Sequence, residues 1–172
     1  LDLGAGRVNI AAGGISAADL RADIIAGRNG GAWNGTNGIT SSTAAASGGT
    51  RAVGYVISGD GSAQVSFAAA GDVDLSGQVN VFDLVGINSA GKYGAGTTSD
   101  WSQGDFNYDG VTNVFDLVAV NTAAAYGQGN YFPAAPSTAG ASGSVAAVPE
   151  PSGLVVAAAL GVTAVAALRR RR

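Results

Sequence analysis

The chain has 172 residues, no cysteine and no histidine, and its nine basic and twelve acidic side chains leave a formal net charge of −3. Disulfides and a thiolate zinc site are therefore excluded, as is catalysis that relies on imidazole as the general base. The length allows one or two small domains, whose stability must come from an apolar core, from metal held by oxygen ligands, or from neighbouring sequence.

Charge is unevenly spread. Residues 1–70 balance four Asp with four Arg, residues 71–128 carry seven Asp against Lys92 alone, and the tail sets Glu150 against four arginines at 169–172. An acidic centre speaks against nucleic acid, which needs basic surface, and suits a cation. The chain opens at Leu1 with neither Met nor signal peptide, and reads as the C-terminal part of a longer, exported precursor.

In chain order, LDLGAGRVNI alternates like an edge of a β-structure and ends in Gly13-Gly14. ISAADLRADIIAGR reads as a helix. Ser16 is placed to cap it, Asp19 takes the capping-box position, and Leu20, Ile24 and Ile25 form one apolar face. Gly27 and then Asn29-Gly30-Gly31 stop it. GGAWNGTNGITSSTAAASGG reads as a long loop anchored by Trp33; its Asn34-Gly35-Thr36 fits a glycosylation sequon, a chance match in a chain of bacterial character. RAVGYVISG and SAQVSFAAA are two strands about the turn Gly59-Asp60-Gly61. Residues 1–70 hold little core for their length and are not expected to fold alone.

One pattern then occurs twice. GDVDLSGQVNVFDLVGINSAGKYG begins at Gly71 and GDFNYDGVTNVFDLVAVNTAAAYG at Gly104, a period of 33 residues. Counting Asp72 as position 1 of a twelve-residue loop puts Asp74 at 3, Ser76 at 5, Gly77 at 6, Gln78 at 7, Asn80 at 9 and Asp83 at 12. The second copy gives Asp105, Asn107, Asp109, Gly110, Val111, Asn113 and Asp116. Calcium takes six to eight hard oxygens from a chain curled around it. Alternate side chains supply those oxygens, Gly permits the sharp turn, and the last Asp can bind bidentately. Position 7 needs only its carbonyl, so the unlike Gln78 and Val111 both serve. Three carboxylates per loop would repel one another without a cation, so two calcium ions are expected.

Helices start near the end of each loop. Val81, Leu84, Val85 and Asn88 recur at helical spacing, as do Val114, Leu117, Val118 and Asn121, and the apolar members are expected to pack helix against helix. Asn88 and Asn121 either bridge the pair or face solvent. Tyr93 and Tyr126 close each copy before a glycine suited to a helix C-terminus. Residues 67–71 leave no room for an entering helix, so each copy is half an EF-hand.

A duplicated loop–helix with Asp at position 12 resembles the type I dockerin domain over residues 71–127. The resemblance implies a small all-α module with two calcium ions, an antiparallel helix pair of near two-fold symmetry, and a cohesin domain as partner. Dockerins often carry a Ser-Thr-like pair at positions 10 and 11. Here Val81-Phe82 and Val114-Phe115 stand instead, either an apolar partner-binding surface or buried core. The stretch GRNGGAWNGTNGITSS loosely resembles the segment between an extracellular β-rich or autotransporter-like passenger and a dockerin-like module in planctomycete-type secreted proteins.

Residues 128–147 read as a flexible linker rich in small residues and Pro. Beyond it, Val148, Pro149, Glu150 and Pro151 precede an uncharged apolar run at 154–168 and the terminal arginines. As a helix the run would be about 22 Å long, short of a ~30 Å hydrocarbon core unless its flanks extend it. The arginines would stay cytoplasmic and leave the rest outside. This order resembles the PEP-CTERM sorting signal, which implies an exosortase-type membrane protease acting at the motif; a plain C-terminal transmembrane anchor is the alternative to it. No catalytic constellation is present in these residues. The expectation is thus a non-catalytic docking and sorting region at the cell envelope or in the extracellular matrix. Its alternatives are the end of a secreted carbohydrate-active hydrolase for polysaccharide, with the catalytic domain upstream, or a calcium-rigidified spacer.

Overall fold

Phe67 lies at the middle of the sheet because its strand is flanked on both sides. In the computed structural model, which describes residues 1–132, β1 (Arg7–Ile10), β2 (Ala52–Ile57) and β3 (Ala63–Ala68) form an antiparallel sheet in the order β1-β3-β2. Val8 pairs with Val65, and Val65 with Tyr55, so β3 is the central strand and β1 an edge, as the alternation of its residues predicts. The β2–β3 turn is closed by Asp60, whose carboxylate accepts from the backbone N–H and the hydroxyl of Ser62 at 2.9 and 2.7 Å.

Helix α1 (Ala17–Arg28) starts at Ser16, whose hydroxyl oxygen accepts from the N–H of Asp19. Leu20 and Ile24 are fully buried, whereas Ile25, expected on the same face, is 39 % exposed. Gly27 does not stop the helix. A Cβ there would lie 1.8 Å from the carbonyl oxygen of Ile39, so the residue is small to let the loop after α1 cross it closely. The helix ends at Asn29 in the left-handed conformation. A short helix, α2 (Ser42–Ala45), capped by Ser41, leads into β2.

The two repeats attach to this sheet through their loops. Helices α3 (Val81–Ala90) and α4 (Val114–Ala123) follow loops that begin at Asp72 and Asp105. Position 4 of each loop, Leu75 and Tyr108, has φ of 57° and 65° and is buried in the same core as Leu20, Trp33, Val53 and Phe67. Trp101, in a 3-10 turn between the repeats, is fully buried. Its ring lies against Gly54 in the middle of β2, where a Cβ would fall 2.4 Å from the indole. Its Nε1–H donates to the carbonyl of Asp72 at 2.7 Å.

These contacts overturn the expected all-α module. The described residues form a mixed α/β body with three antiparallel strands and four helices, and they fall within one compact unit. The physical reason is that Leu75, Trp101, Phe106 and Tyr108 have no core of their own size within the repeats and bury against β2, β3 and α1. Among the described residues no helix is long and apolar enough to cross a membrane; the run at 154–168 and the motif Val148-Pro149-Glu150-Pro151 lie outside them.

The helix faces are also the reverse of the expectation. Val81, Leu84, Val85, Val114, Leu117 and Val118 are all exposed, and Phe82 and Phe115 are the most open at 78 % and 67 %. The inward positions are Asp83 and Ile87 in α3, and Asp116, Val120 and Ala123 in α4. Each helix is rotated this way because its first-turn Asp must reach back into the loop. Asn88 and Asn121 are exposed, in keeping with the solvent-facing alternative. Helix ends fall at Gly91 and Ala124 rather than at the glycines after the tyrosines. Those glycines instead join the repeats: Gly94 N–H donates to Thr112 and Gly127 N–H to Val79, both at 2.9 Å. Because 94 and 127, like 79 and 112, are one repeat apart, this exchange is two-fold symmetric.

Gly54→Ala should destabilise the chain by about 1–3 kcal/mol, since the indole cannot move without breaking its bond to Asp72. Gly59→Ala, with open space around it, should leave the thermal midpoint unchanged in the same melting experiment.

Candidate metal centre

The two loops share one backbone path. Gly71 and Gly104 both have φ of 105°, and Gly77 and Gly110 have 90° and 95°. Only a residue without Cβ takes such angles cheaply, which is why glycine stands at these positions in both copies. The hydrogen bonds repeat as well. Asp83 accepts from the N–H groups of Val73 at 3.0 Å and Asn80 at 2.9 Å, and Asp116 from those of Phe106 at 2.8 Å and Asn113 at 2.9 Å. Each position-12 carboxylate thereby ties the start of its loop to the end. Asn80 and Asn113 complete reciprocal capping boxes, their side-chain oxygens accepting from the first turn of α3 and α4.

In the first loop the carboxylates converge. Asp72, Asp74 and Asp83 each offer an oxygen within 4.8 Å of the others, with Asp72 and Asp83 buried and Asp74 exposed. These three residues lie close enough to hold a metal ion. Ser76 stands beside them: its N–H donates to Asp72 at 3.0 Å and to Asp74 at 2.9 Å. Its hydroxyl is 3.4 Å from the carbonyl oxygen of Gln78. Every group at this place is a hard oxygen, the donor set that suits a divalent cation such as calcium.

The electrostatics register the crowding. Burial pushes the Asp72 carboxyl up to about 6, against the hydrogen bonds it accepts from Tyr131 and Gly77. Burial also raises Asp83. Asp74 is held below its ordinary range: partial burial works against this and is outweighed by hydrogen bonds from Asp72 and Ser76. Burial thus makes three ionised carboxylates costly at this place, and a cation would neutralise them.

The second loop places its residues differently. Asn107 and Asp109 bond to each other at the exposed rim, and Val111 N–H donates to Asp109 at 3.0 Å. Its three carboxylates do not gather as those of the first loop do; among the described residues, Asp72, Asp74 and Asp83 form the one such cluster. Asp105 is buried, accepts from Gly110 N–H at 3.0 Å and pairs with Arg21 at 2.8 Å. Its Oδ1 has no hydrogen-bond partner. A buried carboxylate oxygen left without a donor is costly, and a cation in the loop would satisfy it. Burial raises the Asp105 carboxyl, and Arg21 pulls it back.

Three residues of the site were not singled out in the sequence. Arg21 comes from α1. Trp101 holds the first loop's backbone from between the repeats. Tyr131 folds back from the far end, donating its N–H to Gly77 at 3.0 Å and its hydroxyl to Asp72. Its ring and that of Phe132 pack on Phe67, and Arg51 and Arg7 lie over them at 5.3 and 4.6 Å. Tyr131 and Phe132, within the stretch read as linker, thus pack against the core. The signals available were a glycine inside a strand, which marks a close approach, and two adjacent aromatics in a Gly/Ala-rich segment.

Comparison with protein-family models, with curated proteins and with solved structures found no match for the chain.

Because Asp72 lies above its ordinary 3.8 when folded, the metal-free folded chain takes up a proton before the unfolded chain does. In chelator, stability should therefore rise as pH falls from 7 through about 6 and level off near ~4. Thermal melts across this range check it, and Asp72→Asn should remove most of the rise.

Proposed function

We propose that the chain is a calcium-ordered docking module in which ion binding and partner binding are mechanically linked. The observation that carries this reading is the adjacency within each repeat. Phe82 lies next to Asp83, and Phe115 next to Asp116: one side chain open to solvent, its neighbour buried in the acidic loop. A bound ion holds the position-12 Asp, which starts the helix, which presents the apolar face. Two ions are proposed, one on Asp72, Asp74, Asp83 and the carbonyl of Gln78, the other on Asp105, Asp109, Asp116 and the carbonyl of Val111. Asn107, Ser76, Asn80 and Asn113 supply further oxygens or hold water at the rim.

Exposed Val81, Phe82, Leu84 and Val85, with their counterparts Val114, Phe115, Leu117 and Val118, give each helix an apolar outer face of the kind that marks a protein–protein contact. The resemblance to dockerins supports a folded extracellular domain as partner, with an apolar patch where a cohesin would often meet hydroxyl side chains. The resemblance of residues 148–172 to a sorting signal supports delivery of this module to the cell envelope.

Calorimetry with calcium chloride should count two ions per chain, and Asp83→Ala or Asp116→Ala should each leave one. Absence of calcium binding overturns the reading. Immobilised chain should retain an extracellular protein in calcium and release it in chelator. The double substitution Phe82→Ser and Phe115→Ser should abolish that retention while still binding two ions.

A further inference from the structure

The position-1 aspartates of the two loops are held from outside by different chemistry. In each, Oδ2 accepts from the N–H of the loop glycine, Gly77 at 2.8 Å and Gly110 at 3.0 Å. In the first loop the second donor to Oδ2 is the neutral hydroxyl of Tyr131. In the second loop it is the guanidinium of Arg21, at 2.8 Å, which also donates to the carbonyl of Tyr108 at 3.0 Å. The guanidinium carbon lies 5.9 Å from the centre of the Tyr108 ring. Arg21 is fixed there because Leu20 and Ile24 anchor α1 in the core. Asp105 is only 1 % exposed, and its Oδ1 is the oxygen left without a partner. The equivalent Oδ1 of Asp72 accepts from Ser76 N–H, at the mouth of the carboxylate cluster.

Each loop carries three aspartates, so with its outer clamp the first bears three negative charges and the second two. Calcium affinity in such loops follows the charge of the ligand set and its rigidity. A fixed guanidinium next to a ligand also lowers the potential that draws in a divalent ion. Building on the calcium reading above, we infer that Arg21 sets the order of filling: the first loop takes its ion at lower calcium, and the second fills later. Arg21 is thus a positioning residue. It keeps the second loop folded onto α1 before its ion arrives, and it weakens that ion's hold.

The amides of Gly77 and Gly110 report the loops separately, because each donates to the position-1 carboxylate. In an amide NMR titration of the full chain with calcium chloride, the Gly77 midpoint should come at calcium at least about tenfold lower than that of Gly110. Arg21→Gln should move the Gly110 midpoint about tenfold lower and leave Gly77 in place, while Arg21→Lys, which keeps the charge, should preserve the wild-type order. Should Arg21→Gln fail to fold, Tyr131→Lys brings a cation to the first loop and should raise the Gly77 midpoint about tenfold instead. Equal midpoints in the wild-type chain, or charge changes that leave the midpoints where they were, overturn the inference while the calcium reading stands. Silence of both amides overturns the calcium reading and this inference with it.

Discussion

The bond from the Trp101 indole to the carbonyl of Asp72 is where the sheet, the first loop and the lead-in to the second loop meet. Trp101 is fully buried, and its ring packs edge-on against Phe106 at 5.0 Å and beside Tyr108 at 5.8 Å. Gly54 must lack a side chain for the indole to lie across β2. Tyr108 in turn donates its hydroxyl to the carbonyl of Val53 at 2.6 Å, on the same strand. Two half-loops that carry almost no core of their own are thereby seated on a sheet supplied by residues from the other half of the chain. A buried indole N–H and a buried phenol each need an acceptor, and both find one on backbone whose position they then fix.

This seating fixes the backbone path of the acidic loops. Three carboxylates at one place are unfavourable, and burial makes them more so. The backbone N–H groups of Val73, Ser76, Gly77 and Asn80 compensate in part, all directed at the carboxylates. What they leave uncompensated is expressed as the raised Asp72 and Asp83 carboxyls in the first loop, and as an orphaned oxygen plus an arginine in the second. The same demand is met in two ways because the repeats have different neighbours: Tyr131 from the following segment at one, α1 at the other.

Much of the local structure was legible in the residues themselves. Capping at Ser16, the β2–β3 hairpin, the twelve-residue spacing and its two-fold recurrence each rest on short-range chemistry that a sequence displays. The rest depended on which side of a helix is in contact with what. Val81, Leu84 and Val85 have the spacing of a core-facing stripe, and nothing local distinguishes a core from an exposed apolar face. The decision is made by Asp83, which must point into its loop and so turns its apolar neighbours out. Treating the repeats as a self-contained helical pair missed the same point on a larger scale. Leu75 and Tyr108 at position 4 are too large to be loop surface, and the glycine in β2 was the trace of the tryptophan that lies on it.

The central claim is that the duplicated acidic loops are cation sites shaped by the fold around them. Crystals of the chain grown in calcium test it most directly. The account predicts an ion on Asp72, Asp74 and Asp83 with oxygens at about 2.3–2.6 Å, and a second ion that takes up Oδ1 of Asp105. Loops that keep the same shape at saturating calcium, with no ion among Asp72, Asp74 and Asp83, would contradict it.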